Sequence, residues 1–434
     1  METLYDWLAN DGDERVCEGI SEQACRETPG NFFRTLVANT LTSVGDRLAS
    51  AKTTLPWLLS YLAAPGWCIS LLVPIRESGS MLPQLAIGAL VRRRPIRKGV
   101  WVAGSVLQGL ALAGMAGASL VLHGLPAGLT LIALLILFSL ARGACSVAYK
   151  DVLGKTIPKT RRGRLSGWIS AIAGSSSMLI GAGLAWYMAR EEALAYVAIL
   201  GGGALLWFAA AAAYATIVEY PGETGGGMEG LRGSFRRLAL LRDDLPFRRF
   251  VIARALAMGS GLAAPFYVML AREDLGEAAG FLGVFIAVEG LAALVSAPLW
   301  GYFSDRSARL VFAAACGLAS LLSLSVAVWS LLDFSPAAAR WFYPVAFFGL
   351  GIAHSGVRLG RKTYLVDLAE GNRRTDYVAV SNTVIGALLL ASGLIGAAAA
   401  AFSAEAAILL LALAGLTGAA LSLTWKEVHR GGFA

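Results

Sequence analysis

Apolar residues run through this chain in long stretches, broken at intervals by short clusters of arginine, lysine, glycine and proline. The runs lack the alternation of half-buried strands and exceed the roughly 10-residue segments of a membrane barrel. Each predicts an α-helix of the roughly 20 residues needed to cross a bilayer. The pattern predicts twelve spans, at about 34–60, 66–90, 99–121, 128–149, 165–188, 194–217, 250–271, 280–303, 309–332, 340–361, 378–402 and 404–424. Asp46, Arg47 and Lys52 interrupt the first. The expected fold class is an all-α polytopic membrane protein with two six-helix bundles. Its parts are an acidic tail (1–33), an N-terminal bundle (34–217), a central loop (218–249), a C-terminal bundle (250–424) and a short tail (425–434).

Composition agrees with this pattern. Of 434 residues, 56% are hydrophobic and only 15% charged, against about 25% charged in soluble chains. Mean hydropathy is +0.63, so an ordinary cytosolic globule and a disordered chain are both excluded. The net charge of +8 would point to nucleic acid if it formed a patch on a soluble face. Instead the basic residues lie between apolar runs: Arg92, Arg93, Arg94, Arg97 and Lys98 after the second span, and Lys155, Lys159, Arg161, Arg162 and Arg164 after the fourth. Arg232, Arg236 and Arg237 follow the sixth, whereas the odd-numbered connections hold little beyond Arg190, Arg272 and Arg340. This asymmetry predicts that both termini are cytoplasmic, in what we expect to be a bacterial inner membrane. The lipid bilayer is the expected partner, nucleic acid is not, and the chain is expected to be a monomer.

The N-terminal tail has no basic stretch leading into an apolar core and is not a secretory signal. Its Cys17 and Cys25 have no His or further Cys nearby. A four-ligand zinc site is therefore not predicted, and a disulfide would face reducing cytoplasm. Cys68, Cys145 and Cys316 fall in spans and read as small apolar residues. The central loop opens with EYPGETGGG and continues into LRGSFRRLALLRDDLPFRR, a flexible linker and a basic amphipathic stretch suited to an anionic leaflet.

The halves repeat. FSLARGACSVAYKDVLGKTIPKTRRGRLSGWIS after the fourth span lies beside FGLGIAHSGVRLGRKTYLVDLAEGNRRTDYVAVSN after the tenth, matching Phe138 to Phe348 and Arg161/Arg162 to Arg373/Arg374. Span two, with Glu77 ahead of Gly88, corresponds to span eight, with Glu289 ahead of Gly301. A parallel six-plus-six duplication encloses a site near the midplane. At GYFSDRSAR the chain resembles the major facilitator superfamily, whose G-x-x-x-D-R-x-x-R loop is reproduced by Gly301, Asp305, Arg306 and Arg309. The first-half copy, GALVRRRPIRK, keeps Gly88 and Arg93 and carries Arg92 in place of the acid. The resemblance implies twelve helices, transport by alternating access, and a gating role for these loop residues. Physically, Gly301 would permit close helix approach, and Asp305 would pair with Arg306, Arg309 or a neighbouring helix end. The plainer reading makes the arginines topological anchors.

Ionisable groups at bilayer depth cost about 2.5–3.5 kcal/mol each, so they usually face a bundle interior or wet cavity. Here they are Asp46 in span one, Arg76 and Glu77 in span two, Arg142 in span four, Glu289 in span eight, and His354, Arg358 and Arg361 in span ten. The resemblance implies that the first, fourth, seventh and tenth helices line the path, which adds Arg254. It also sets Arg142 where the family's R-x-x-Q-G motif has its arginine, although this chain has no Gln there. The substrate and proton pathway is thus expected to comprise Asp46, Arg76, Glu77, Arg142, Glu289, His354 and Arg358. Buried carboxylates would load and release a proton, and the arginine forks favour an anionic or zwitterionic solute. His354 is placed to titrate near neutral pH. Plainer readings are that Arg76 and Glu77 satisfy other helices, Arg254 snorkels to the cytoplasmic edge, and His354 is a packed core residue.

The family's fifth-helix antiporter signature has a Gly-Pro pair. GSSSMLIGAG has Gly174, Gly181 and Gly183 but no Pro, and reads as small residues for close packing, as does GLIGAAAAA in span eleven. No P-loop, H-E-x-x-H or G-x-S-x-G motif occurs, so neither an enzyme nor a cofactor is expected. The expected function is secondary active transport of a small solute with a coupling ion, a proton. The alternatives are a transporter-like assembly factor or sensor acting through its tail and central loop, or an intramembrane enzyme.

Overall fold

The first apolar run folds as two helices, not one. After the single turn α1 (Glu22–Arg26), α2 (Thr28–Leu48) ends in a non-helical stretch and α3 (Thr54–Tyr61) resumes the path. Pro56 explains the break: its ring clashes with the carbonyl four residues back, that of Lys52, and it offers no N–H to bond it. The computed structural model describes residues 20–82, 87, 91, 93–187, 192–222, 224, 238–275, 280–304, 306–332, 335–368, 373–400 and 402–426. Among them there are helices and turns and no strand.

The N-terminal half continues with α4 (Gly66–Met81), α5 (Lys98–Val121), α6 (Gly124–Thr156), α7 (Lys159–Tyr187) and α8 (Glu192–Ala215). After the one-turn α9 (Leu240–Asp243), the seventh run is also broken, into α10 (Leu245–Leu256), α11 (Gly259–Leu262) and α12 (Ala264–Leu275). The same chemistry acts there, with Pro265 four residues after Gly261 in a stretch already weakened by Gly259. α13 (Gly280–Ser304), α14 (Ala308–Ser330), α15 (Pro336–Leu368), α16 (Arg373–Ala400) and α17 (Ala404–Leu423) complete the chain.

The pairings within the halves match one for one. α5 packs on α6 and α8, α2 on α7 and α8, and α4 on α6; correspondingly α14 packs on α15 and α17, α10 on α16 and α17, and α13 on α15. The halves meet through α7 on α13, α4 on α16, and α3 on α12. The first of these contacts is backbone to backbone. A Cβ on Gly290 would lie 2.9 Å from the Met178 nitrogen, and one on Gly181 would strike the Ala287 backbone. The small residues of GSSSMLIGAG therefore serve close packing at Gly174 and Gly181, while Gly183 faces open space.

Nine of the described helices or helix trains are long and apolar enough to cross a membrane. The expected spans outside that set are the first, second and tenth, which carry Asp46, Arg47 and Lys52, Arg76 and Glu77, and Arg358, Arg361 and Lys362. Much of the charge within the expected spans thus sits in these three, although Arg142, Arg254 and Glu289 lie in helices that do qualify.

At the end bearing the basic loops, Glu219 is buried and accepts from the Arg97 and Lys98 amides, capping α5, while Lys155 donates to it at 2.6 Å. Lys98 Nζ reaches the carbonyls of Ala215 and Ile217 beyond α8. The second half repeats the device: Arg309, in the first turn of α14, donates to the carbonyls of Leu423 and Trp425 beyond α17. Arg306 instead stacks on Tyr302, 4.7 Å from the ring centroid, and donates to its hydroxyl at 2.6 Å. Gly88, Arg92 and Asp305 lie outside the described residues, and Arg93 is exposed. Gly301 does not mediate the close approach expected of it, since a Cβ there would meet nothing within 4 Å. In the N-terminal segment Cys25 is disulfide-bonded, contrary to the reduced thiol expected from its compartment.

Candidate functional site

The charged helices converge on one hollow between the bundles. A cavity of about 370 Å³ is lined by Asp46, Arg47 and Lys52 at the end of α2 and its break, Arg76 and Glu77 of α4, Arg142 of α6, Glu289 of α13, and His354 and Arg358 of α15. All seven residues expected in the pathway therefore share one space, drawn from five helices of both halves. Its wall holds five guanidinium or ammonium groups and three carboxylates.

Asp46 is the electrostatic hub. One carboxylate oxygen accepts from Arg76 at 2.6 Å, and the other accepts from Arg142. Arg76 lies over the Phe138 ring, its central carbon 4.6 Å from the centroid, an interaction strengthened by desolvation. The side chain of Arg142 is 38% exposed, so this arm of the triad is wetted by the cavity. Arg47, Lys52, Glu77, Glu289 and Arg358 form no ion pair among the described residues. Glu289 accepts from the Thr53 hydroxyl at 3.4 Å, which joins α13 to the break in the first span.

Both broken helices direct a positive end at the hollow. α3 begins beside Lys52, and Ala264, the first residue of α12, lines the cavity. The macrodipole of each half-helix adds to the positive field. His354 is both lining and packed: its Nδ1 is 3.2 Å from the Ser260 hydroxyl.

Two further cavities adjoin. One of about 280 Å³ adds Arg254 and Arg361, and one of about 740 Å³ extends past Trp300, Gly301 and Lys362 towards the basic-loop end. Arg358 borders all three. On the other side of the hollow α3 meets α12 across the two halves. Among the described residues, no group of three His, Cys, Asp or Glu is placed to hold a metal.

Several of these residues escaped the sequence reading. Lys52 was visible only as an interruption of a span, and Arg361, although counted among the charges of span ten, is not among the expected pathway residues. Arg254 does not snorkel: it is 5% exposed and donates to Ser381 at 2.6 Å and Asn382 at 3.0 Å on α16. Cys145 is free and buried but not apolar in its surroundings, since its Sγ donates to the Trp101 carbonyl and accepts from Gln108, both at 3.3 Å.

Fold and cavity define a polytopic helical membrane protein of two repeated bundles around a charged hollow. Residues 249–432 match the family model of the Major Facilitator Superfamily. Among curated proteins no sequence relative is found. Solved structures share the fold along nearly the whole chain. The nucleoside transporter NupG is 10% identical with TM-score 0.70, covering 91% of this chain and 99% of its own. A D-xylose–proton symporter is 13% identical with TM-score 0.70, covering 93% and 100%. The xylose transporter XylE from E. coli, inward open, is 13% identical with TM-score 0.66, covering 92% and 97%. The C-terminal half thus matches the Major Facilitator Superfamily, and the whole chain has the fold of these solved transporters.

Proposed function

We propose that this protein is a secondary transporter that moves a small anionic solute by alternating access, coupled to protons. The single observation that carries the reading is the cavity between the bundles, whose wall bears more cationic than anionic side chains at bilayer depth. Charges so placed are expensive and persist where they face a pathway. The fold shared with transporters supports movement of solute, and the lining chemistry supports an anion. The hollow leads towards the basic-loop end, and α3 packs on α12 across the halves; with the positive-inside orientation this supports reading the state as inward-facing.

In this reading Asp46 is the coupling carboxylate. An arriving anion competes with it for Arg142, while Arg76 keeps its hold on the other carboxylate oxygen. Bundle rocking then exposes the anion and Asp46 to the other side. The test is uptake into proteoliposomes of the anions that stabilise the purified protein. Asp46→Asn or Arg142→Ala abolishes flux while expression and folding persist; normal flux in both variants overturns the assignment.

A further inference from the structure

The two bundles handle their cavity cations differently. In the N-terminal half Asp46 neutralises Arg76 and Arg142. In the C-terminal half Arg254, Arg358 and Arg361 line the adjoining cavity of about 280 Å³; none forms an ion pair among the described residues, and Glu77, the one carboxylate in that wall, faces them together with Lys52 and Arg142, so cations outnumber it. Arg254 is the telling member. It is 5% exposed, its Nη atoms donate only to the neutral Ser381 and Asn382, and its Nε has no hydrogen-bond partner. Arg358 and Arg361 lie one turn apart on α15, and Arg358 reaches the central cavity as well.

Burying Arg254 without an ion-pair partner is costly, and gathering it with the half-buried Arg361 and the exposed Arg358 around one cavity adds mutual repulsion. An arrangement of this kind is tolerated when an anion completes it. The guanidinium fork matches the paired oxygens of phosphate or carboxylate, and three forks match a doubly charged oxyanion better than a singly charged one. We propose that Arg254, Arg358 and Arg361 form an oxyanion subsite, which holds the doubly charged head of the solute, a phosphate group being the simplest case. The C-terminal bundle then grips the solute, while the Asp46–Arg76–Arg142 triad of the N-terminal bundle carries the proton. The proposal rests on the anionic-solute reading and places the binding of that anion in one bundle.

The experiment is thermal unfolding of the purified full-length protein titrated with inorganic phosphate, against acetate and chloride at equal ionic strength. Phosphate is expected to raise the melting temperature in a saturable way, acetate less, and chloride not at all. Arg361→Gln and Arg254→Gln weaken the phosphate response at least tenfold. They also melt at or above the wild-type temperature without phosphate, because each removes an uncompensated charge. A merely structural arginine would do the opposite and lower that temperature. Asp46→Asn keeps the phosphate response. Absence of a phosphate shift in the wild type, or an undiminished shift in both arginine variants, overturns the subsite. If anion flux persists in those variants, only the subsite falls; if the wild type carries no anion at all, the transport reading falls with it.

Discussion

Arg272, near the end of α12, donates to the main-chain carbonyl of Trp57 in α3 at 2.7 Å, and so bridges the two halves at the end of the hollow where α3 meets α12. Its guanidinium also lies 5.5 Å from the Tyr61 ring centroid and 5.9 Å from that of Trp57. Trp57 packs in turn on Phe285 of α13. The arginine is 6% exposed, so the contact is made in a dry setting where charged hydrogen bonds and cation–π contacts count for more than in water. On the transport reading proposed above, it is a latch whose two parts separate when the bundles rock apart at this end.

Arg272→Ala should therefore open this end more often. A hydrogen bond to a charged group contributes about 2 kcal/mol, which corresponds to a roughly thirtyfold shift in the open population. Leu59 is fully buried in α3, so Leu59→Cys reports the opening through its labelling by a membrane-impermeant maleimide. Labelling should rise at least several-fold in the Arg272→Ala background and much less with Arg272→Lys, which keeps the cation. Equal labelling in all three would show that the latch does not hold the end shut.

At the opposite pole of the site, Asp46→Asn leaves Arg76 and Arg142 facing each other without their shared carboxylate. Removing one partner of a fully buried pair costs about 3–5 kcal/mol; cavity water reaching Arg142 lowers this to about 1–2 kcal/mol. Adding Arg142→Gln removes the orphaned charge, so the double variant should be less destabilised than the sum of the singles in a thermal-unfolding cycle. Strict additivity would mean that the triad is not an electrostatic unit.

Much of this architecture was legible because the bilayer imposes a length on apolar runs and a penalty on charge within them. Asp46, Arg142 and Glu289, charges set within predicted spans, could be read as converging on one place. Arg254 reached the path only through the family resemblance, since by its charge alone a cation near a predicted span end looks the same whether it reaches water or turns inward to Ser381 and Asn382. The two helix breaks were missed although Pro56 and Pro265 mark them, because hydropathy does not register backbone geometry: both prolines sit inside runs that remain apolar across the break. Gly301 shows the converse limit. A glycine in a recurring loop pattern was taken for a contact, whereas the contacts between the halves are made by Gly181, Gly283 and Gly290.

Those glycines carry the last prediction. α7 and α13 touch through their backbones, and on the other side of the hollow Gly393 of α16 sits where a Cβ would lie 2.6 Å from the Pro74 ring of α4. Two seams of small residues thus join the halves, and in the proposed transport cycle rocking about the hollow requires the helices to roll on them without interlocking side chains. Gly181→Val forces a branched side chain into the Ala287 backbone, where overpacking costs about 1–3 kcal/mol. The strain falls on the seam and not within either bundle, so the variant should fold and elute as a single species yet lose most of its flux in proteoliposomes. Gly183→Val is the control two residues away: its Cβ meets nothing within 4 Å, and both folding and flux should stay near wild type. Similar losses of flux at the two positions would place the effect in the helix itself and remove the seam from the mechanism.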